Sequence, residues 1–158
     1  MISSRMKAWR KVFIGVLLLG VAIQFVRPSK NDSPAGANDL MAHYPAAPEV
    51  RKILEVACYD CHSNHTRYPW YARIEPVGWW LANHINDGKS QLNFSEFASY
   101  TEHRRAKKLQ SVVDEVTDRS MPLSSYTWIH REAKLTDAQI KLVADWADAL
   151  AEKIEPEK

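Results

Sequence analysis

Cys58-Tyr59-Asp60-Cys61-His62 is the stretch of the chain that decides its fold. Cys-x-x-Cys-His is the spacing at which c-type haem is attached. Two thiols three positions apart lie on nearly the same side of a helix, so both can form thioethers with the vinyl groups of one porphyrin. The imidazole that follows then lies beneath the iron as its proximal ligand. The pentapeptide therefore predicts one covalent haem c, held by Cys58 and Cys61, with His62 on the iron.

Other uses of this cysteine pair fit the sequence less well. The chain has two cysteines among 158 residues, which excludes a disulfide framework and a four-cysteine zinc site. In a mixed zinc site, adjacent Cys61 and His62 would make an awkward tetrahedral corner. A thioredoxin-like pair would begin a helix after a strand, whereas this pair is predicted to end a helix. Haem attachment is therefore preferred to zinc binding and to thiol redox chemistry.

The bulk composition describes a globular chain with a basic N-terminal segment. Apolar residues make up 46% and charged residues 25%, the balance of a folded domain. The formal net charge is +2, but residues 1–27 hold five cationic side chains and no acid, so the remainder carries −3. The basic excess belongs to the N-terminus and does not indicate nucleic-acid binding.

Residues 12–26 form a continuous apolar run behind four cationic side chains. A membrane-spanning helix needs about 17–25 residues, and Trp9, Lys11 and Arg27 can extend the run to that length. The nearest small-x-small cleavage site, at residues 35–37, lies far behind the run. We therefore predict an uncleaved anchor over residues 1–27, with a signal segment as the alternative. The leading cations predict a single pass with the following domain outside the cytoplasm, which in a bacterium is the periplasmic side of the cytoplasmic membrane.

Apolar periodicity after the anchor predicts helices only. Residues 28–47 are rich in Pro, Ser, Asn and Ala and are predicted to be a flexible linker. A domain over residues 48–153 follows, and its first helix begins at Pro48 and ends in the haem signature. Later helices are predicted from Pro76 to Asp87 with Gly88 as the stop, through an apolar stripe from Ala106 to Val116, and from a capping box at Thr136–Gln139.

The second axial ligand of the iron has to come from elsewhere in the chain. Met121 is the only methionine after residue 41, and Pro122 favours an extended backbone that presents its side chain. A lone methionine more often fills a core, but an irregular stretch before the last helix can fold back over a porphyrin. His84, on an apolar helical face, is the second choice. The other histidines after the signature are predicted at the surface or too near His62, and they are His65, His103 and His130.

Short motifs along the domain together resemble one family. They are Cys58-Tyr-Asp-Cys-His-Ser-Asn64, Tyr68-Pro-Trp-Tyr71, Pro76-Val-Gly-Trp79, His84-Ile85, Gly88, Leu92-Asn-Phe-Ser95, Met121-Pro122 and Tyr126. This string, within residues 45–150, is similar to the bacterial haem-binding domain family of short cytochrome-c-like proteins. The resemblance implies an all-α, class I cytochrome-c-like domain around a single covalent haem, preceded by one N-terminal membrane helix. It extends the haem roles to Cys58, Cys61 and His62, and the second ligand role to Met121.

These observations predict a membrane-anchored monohaem c-type cytochrome that transfers single electrons and is not an enzyme. Its expected partners are redox proteins, without nucleic acid or a small-molecule substrate, and its N-terminal segment is the expected contact with the membrane. The alternative is a haem-based sensor or a peroxidase-associated haem protein whose sixth ligand can be displaced.

Overall fold

The computed structural model of the chain describes residues 2–34 and 36–155. Over these residues the chain is all-helical, with 71% helix and no strand, so the predicted all-α class is confirmed. Met1 of the predicted anchor and Ala35 of the predicted linker lie outside the described residues. The α-helices are α1 Ile2–Ala22, α2 Leu40–His43, α3 Pro48–Ala57, α4 Tyr59–His62, α5 Val77–Gln91, α6 Glu102–Thr117, α7 Ser124–Ile129 and α8 Asp137–Ile154.

The chain divides into two compact units. The first unit combines the N-terminal residues up to Lys30 with Tyr68–His84. The second unit combines Asn31–Arg67 with the residues from Ile85 onwards. Because α5 is continuous across position 84, its first half belongs to the first unit and its second half to the second.

The N-terminal apolar helix is present in the first unit. A 3-10 turn, Ile23–Phe25, continues α1, and the span Arg5–Phe25 is 21 residues long, apolar and unburied. A helix of this length and composition suits either a membrane span or a signal sequence.

Packing of α6 along α8 forms the main part of the second unit, and α3 also contacts α8. The predicted stripe of α6 is buried at Ala106, Leu109 and Val116, and α8 buries Val143 and Ala147. These positions recur at helical spacing, so each helix has one apolar face for the core. Phe94 and Phe97, in the 3-10 helix Phe94–Ser99, are the largest fully buried side chains.

The start of α8 has the predicted capping box. The backbone N–H of Gln139 donates to Thr136 Oγ1 at 3.3 Å, and the backbone N–H of Thr136 donates to Gln139 Oε1 at 2.9 Å. Two backbone donors that the first turn of a helix leaves unpaired are thereby satisfied.

Helix boundaries near the signature differ from the sequence prediction. Helix α3, the first helix of the predicted haem domain, ends at Ala57. Cys58 then adopts φ −124° and ψ −42° before the separate short helix α4 begins. Gly88 does not stop α5, which continues to Gln91. The reason is a tertiary contact. Gly88 packs closely against Cys61, so this position inside the helix requires glycine, whereas the sequence alone suggests that glycine ends the helix.

Most of the segment predicted as a linker, from Asn31 onwards, is part of the second unit. Leu40 in α2 is fully buried in the core. Asn31 Nδ2 donates to the carbonyl of Ser63 at 2.8 Å and to Thr66 Oγ1 at 3.0 Å. Asp32 pairs with His65 in an isolated antiparallel β-bridge. The chain just after the haem signature is therefore bound to residues 31 and 32.

Candidate functional site

The short helix α4 brings the three signature residues into one turn. The backbone N–H groups of Cys61 and His62 both donate to the carbonyl of Cys58, at 3.2 and 3.0 Å. Both cysteines are unpaired and partly buried. Burial raises the pKa of Cys58 to about 12 and that of Cys61 to about 11. At neutral pH both sulfurs are therefore protonated thiols.

His62 is oriented by a backbone carbonyl. Its Nδ1 lies 3.0 Å from the carbonyl oxygen of Leu92. Since a carbonyl can only accept, the proton is on Nδ1, and Nε2 keeps its lone pair. Burial lowers the pKa of His62, against the opposing effects of the Leu92 and Gly88 carbonyls and the Glu115 carboxylate. A neutral imidazole with Nε2 available is the form that ligates a metal.

Gly88 lies directly against the signature. A Cβ atom at this position would lie 2.8 Å from the carbonyl oxygen of Cys61 and 3.3 Å from its Cβ. The carbonyl of Gly88 accepts from the backbone N–H of Leu92 at 2.9 Å. The same turn of chain thus packs against Cys61 and orients His62, and only glycine permits that approach.

Asp60, between the two cysteines, is the buried acid of the site. It accepts from the backbone N–H of Arg67 at 3.1 Å, from Arg67 Nε at 3.0 Å and from the Tyr126 hydroxyl at 2.8 Å. Burial and the Asp60 carboxylate raise the pKa of Tyr126, so its hydroxyl stays protonated and donates. Sequence reasoning missed Asp60 as a structural residue. A signal was present, because an acid inside a buried turn needs a donor nearby in space.

The segment that carries Met121 is hydrogen-bonded at both ends. The backbone N–H of Met121 donates to the carbonyl of Glu115 in α6 at 3.1 Å. Five residues further on, the Tyr126 hydroxyl donates to Asp60 of the signature. These bonds join one end of the segment to α6 and the other end to the signature.

Met121 is half-buried and helps to line a cavity of about 570 Å³. Among the described residues, the lining also includes three cationic side chains and an exposed tryptophan, and the signature residues are not part of it. The four residues are Arg119, Trp128, Arg131 and Lys134.

The other candidate ligand, His84, belongs to the first unit. Its Nδ1 lies 2.9 Å from the carbonyl oxygen of Trp80, and the centroids of the His84 and Trp80 rings are 4.0 Å apart. The remaining histidines after the signature each lie beside a carboxylate, in the pairs His65–Asp32, His103–Glu155 and His130–Glu132. The structure brings Met121, and not His84, into the unit of the signature.

A family model described as Haem-binding domain matches residues 18–149. This range is most of the chain, so the chain belongs to the haem-binding domain family. No curated protein and no solved structure matches the chain. The donors of the site fit a haem, because two unpaired thiols precede a neutral imidazole whose Nε2 is available in the same turn of chain.

We expect Gly88→Ala to reduce haem loading and stability. The new methyl group would overlap the Cys61 carbonyl, and relieving that overlap should cost about 1–3 kcal/mol. Haem per chain is measured from the absorbance of its pyridine complex, and stability by denaturant unfolding. Gly36→Ala is the matched control, since its Cβ would meet nothing closer than the backbone nitrogen of Asn38 at 4.0 Å. Equal haem loading and stability in both variants would refute the close approach.

We expect Tyr126→Phe to loosen the segment that carries Met121. A hydrogen bond to a charged acceptor is worth about 1.5–3 kcal/mol, and this change removes one while leaving the ring in place. Denaturant unfolding should report the loss, and hydrogen exchange should rise in residues 119–130. Trp128→Phe, in the same segment and exposed, is the control. An exchange rate equal to that of the control would show that the Asp60 contact does not hold this segment.

Proposed function

We propose that this chain is a membrane-anchored c-type cytochrome that carries one covalent haem and passes single electrons between redox proteins. The observation that carries the proposal is the hydrogen bond between His62 Nδ1 and the Leu92 carbonyl, beside two unpaired thiols. That bond presets the tautomer and ring orientation that an axial imidazole requires.

The chain's own residues hold and shield the cofactor. Cys58 and Cys61 would each add an S–H across one vinyl group, forming a carbon–sulfur bond without any change in oxidation state. His62 would ligate the iron through Nε2. Haem held in this way supplies a reversible ferric/ferrous couple. The role of the protein is to fix the two axial ligands and to limit access of water to the iron.

Met121 is the sixth ligand in this proposal. Its support is the hydrogen bond from Tyr126, five residues further on, to Asp60 of the signature, while the backbone bond from Met121 to Glu115 holds the other end of the segment to α6. A thioether ligand favours the ferrous state and raises the reduction potential relative to a second imidazole. His84 is the runner-up, because its proton is also on Nδ1, facing the Trp80 carbonyl, so its Nε2 keeps a lone pair.

The location follows from α1. An uncleaved α1 with its cations at the N-terminal end would anchor the protein in a bacterial cytoplasmic membrane and leave the haem domain on the extracytoplasmic side. Partners there would be soluble or membrane-bound redox proteins, and the chain would carry out no bond chemistry on a small molecule.

The cavity beside Met121 favours a second candidate function. Met121 is half-buried at the wall of a cavity of about 570 Å³, so as an iron ligand it would have space to move away. The chain would then be a haem-based sensor, or a haem protein that works with a peroxidase, with an exogenous ligand taking the vacated position.

Haem attachment is tested on the full chain produced with a c-type haem-attachment system. We expect haem to remain bound after denaturation, with one haem per chain, and the reduced pyridine complex to have the spectrum of two thioether links. Cys58→Ser and Cys61→Ser should each shift that spectrum to a single link and reduce the yield. Haem that is released from the wild type by denaturation would overturn the covalent assignment.

The sixth ligand is tested with Met121→Leu, which removes the sulfur and nearly preserves the volume. We expect the haem to stay attached, the ferric sulfur-to-iron band to vanish completely and the midpoint potential to fall. Met41→Leu is the matched control and should leave both unchanged.

Loss of the native spectrum in His84→Ala, with Met121→Leu unaffected, would assign the ligand to His84. Rapid binding of carbon monoxide by the reduced wild type would favour the sensor or peroxidase-associated function over simple electron transfer.

A further inference from the structure

A set of four hydrogen bonds joins the end of the apolar N-terminal helix to the segment 73–79 within the first unit. Gln24 Nε2 donates to the carbonyl of Glu75 at 3.0 Å, and the backbone N–H of Glu75 donates to Gln24 Oε1 at 2.9 Å. Arg27 Nη1 donates to the carbonyl of Arg73 at 3.1 Å, and Trp79 Nε1 to the carbonyl of Val26 at 2.7 Å. The segment is thus fixed to residues 24–27.

The length of the apolar helix determines the level at which those residues would lie in a bilayer. The span Arg5–Phe25 has 21 residues. At about 1.5 Å per residue this is about 31 Å, close to the thickness of a bilayer's hydrocarbon core. Residues 24–27 therefore mark the boundary between acyl chains and headgroups, and whatever is bonded to them lies at that boundary.

The segment bonded to residues 24–27 and its neighbours carry side chains of the types enriched at the boundary between membrane and water. Trp70 is 76% exposed and Trp80 46% exposed, and Ile74 and Val77 are exposed beside them. Arg73 is exposed in the same stretch. Tryptophan next to cationic side chains is the composition enriched at membrane–water interfaces.

Packing inside the segment keeps it in a defined shape. The buried Glu75 carboxylate accepts from the backbone N–H of Trp79 at 2.9 Å, at the first turn of α5. A Cβ at Gly78 would lie 2.7 Å from both the Ala72 carbonyl oxygen and the Glu75 carboxylate. The exposed tryptophans therefore project from a preformed turn.

We propose that residues 70–80 form an interfacial patch that inserts Trp70 and Trp80 into the headgroup layer of the outer leaflet, beside the N-terminal helix. The partner is the phospholipid interface itself. This inference rests on the membrane anchor of the proposed function, and it goes further in making the anchor part of the folded protein. Removal of residues 1–27 would leave the backbone N–H and carbonyl of Glu75 without their Gln24 partner.

The test uses the full haem-loaded chain in nanodiscs of phosphatidylethanolamine and phosphatidylglycerol. A small fraction of the lipid carries a diazirine at the top of one acyl chain, and labelled residues are located by mass spectrometry after irradiation. We expect label in α1 and on Trp70 and Trp80. Trp128 serves as an internal control because its 80% exposure matches that of Trp70 and it belongs to the second unit. It should remain unlabelled.

The variant Gln24→Leu tests whether the hydrogen bonds to Glu75 hold Trp70 and Trp80 at the membrane. Gln24→Leu removes the paired bonds to Glu75 and leaves the apolar run intact, so label on Trp70 and Trp80 should fall severalfold while label in α1 stays constant. Gln91→Leu, at an exposed position, is the matched control. Label in α1 without label on Trp70 and Trp80, or equal label in both variants, would overturn the patch and leave the anchor standing. Absence of label from α1 as well would overturn both.

Discussion

A buried carboxylate inside the haem signature is the constraint on which the second unit depends. Asp60 is placed between two cysteines in a turn whose neighbours are apolar, and an ionised group there is costly unless its oxygens are bonded. Its partners are a backbone N–H and a guanidinium from Arg67, and the hydroxyl of Tyr126. Because Arg67 is largely exposed, solvent screens its charge, and the backbone and tyrosine bonds carry more of the stabilisation. Satisfying one charge thus brings the nearby chain at Arg67 and the distant segment at Tyr126 to the signature.

The same turn meets a second constraint from α5. The packing of Gly88 against Cys61 leaves no room for a side chain, and four residues later the Leu92 carbonyl receives the His62 proton. Steric fit and hydrogen bonding therefore come from one stretch of backbone. This stretch packs against Cys61 and determines which nitrogen of His62 is available. His62 is thereby held neutral with Nε2 free, the form in which an imidazole ligates a metal.

Sequence predicted the parts of this fold that depend on local rules. Two examples are the apolar stripes of α6 and α8 and the capping box at Thr136. Each depends on residues within a few positions of one another, so each can be predicted from the order of residues alone. Gly88 was wrongly predicted as a helix stop, since its role depends on Cys61, 27 positions away. The link between Asp60 and Tyr126 spans 66 positions and leaves no periodic trace. Met121 could be proposed by elimination among ligands, but its connection through Glu115 required the structure.

Each of the two units contains one polar side chain, in a mainly apolar stretch, that is hydrogen-bonded to a remote segment. Gln24 is the only polar side chain in the apolar run of residues 12–26, as Asp60 is the only acid in the signature. In each case the side chain lies in a mainly apolar stretch of sequence, and its hydrogen bonds satisfy groups that would be unfavourable if left unpaired. The partner comes from far along the chain: Glu75 is 51 positions from Gln24, and Tyr126 is 66 positions from Asp60. A single polar residue in an apolar stretch therefore helps to select which remote segment packs against it.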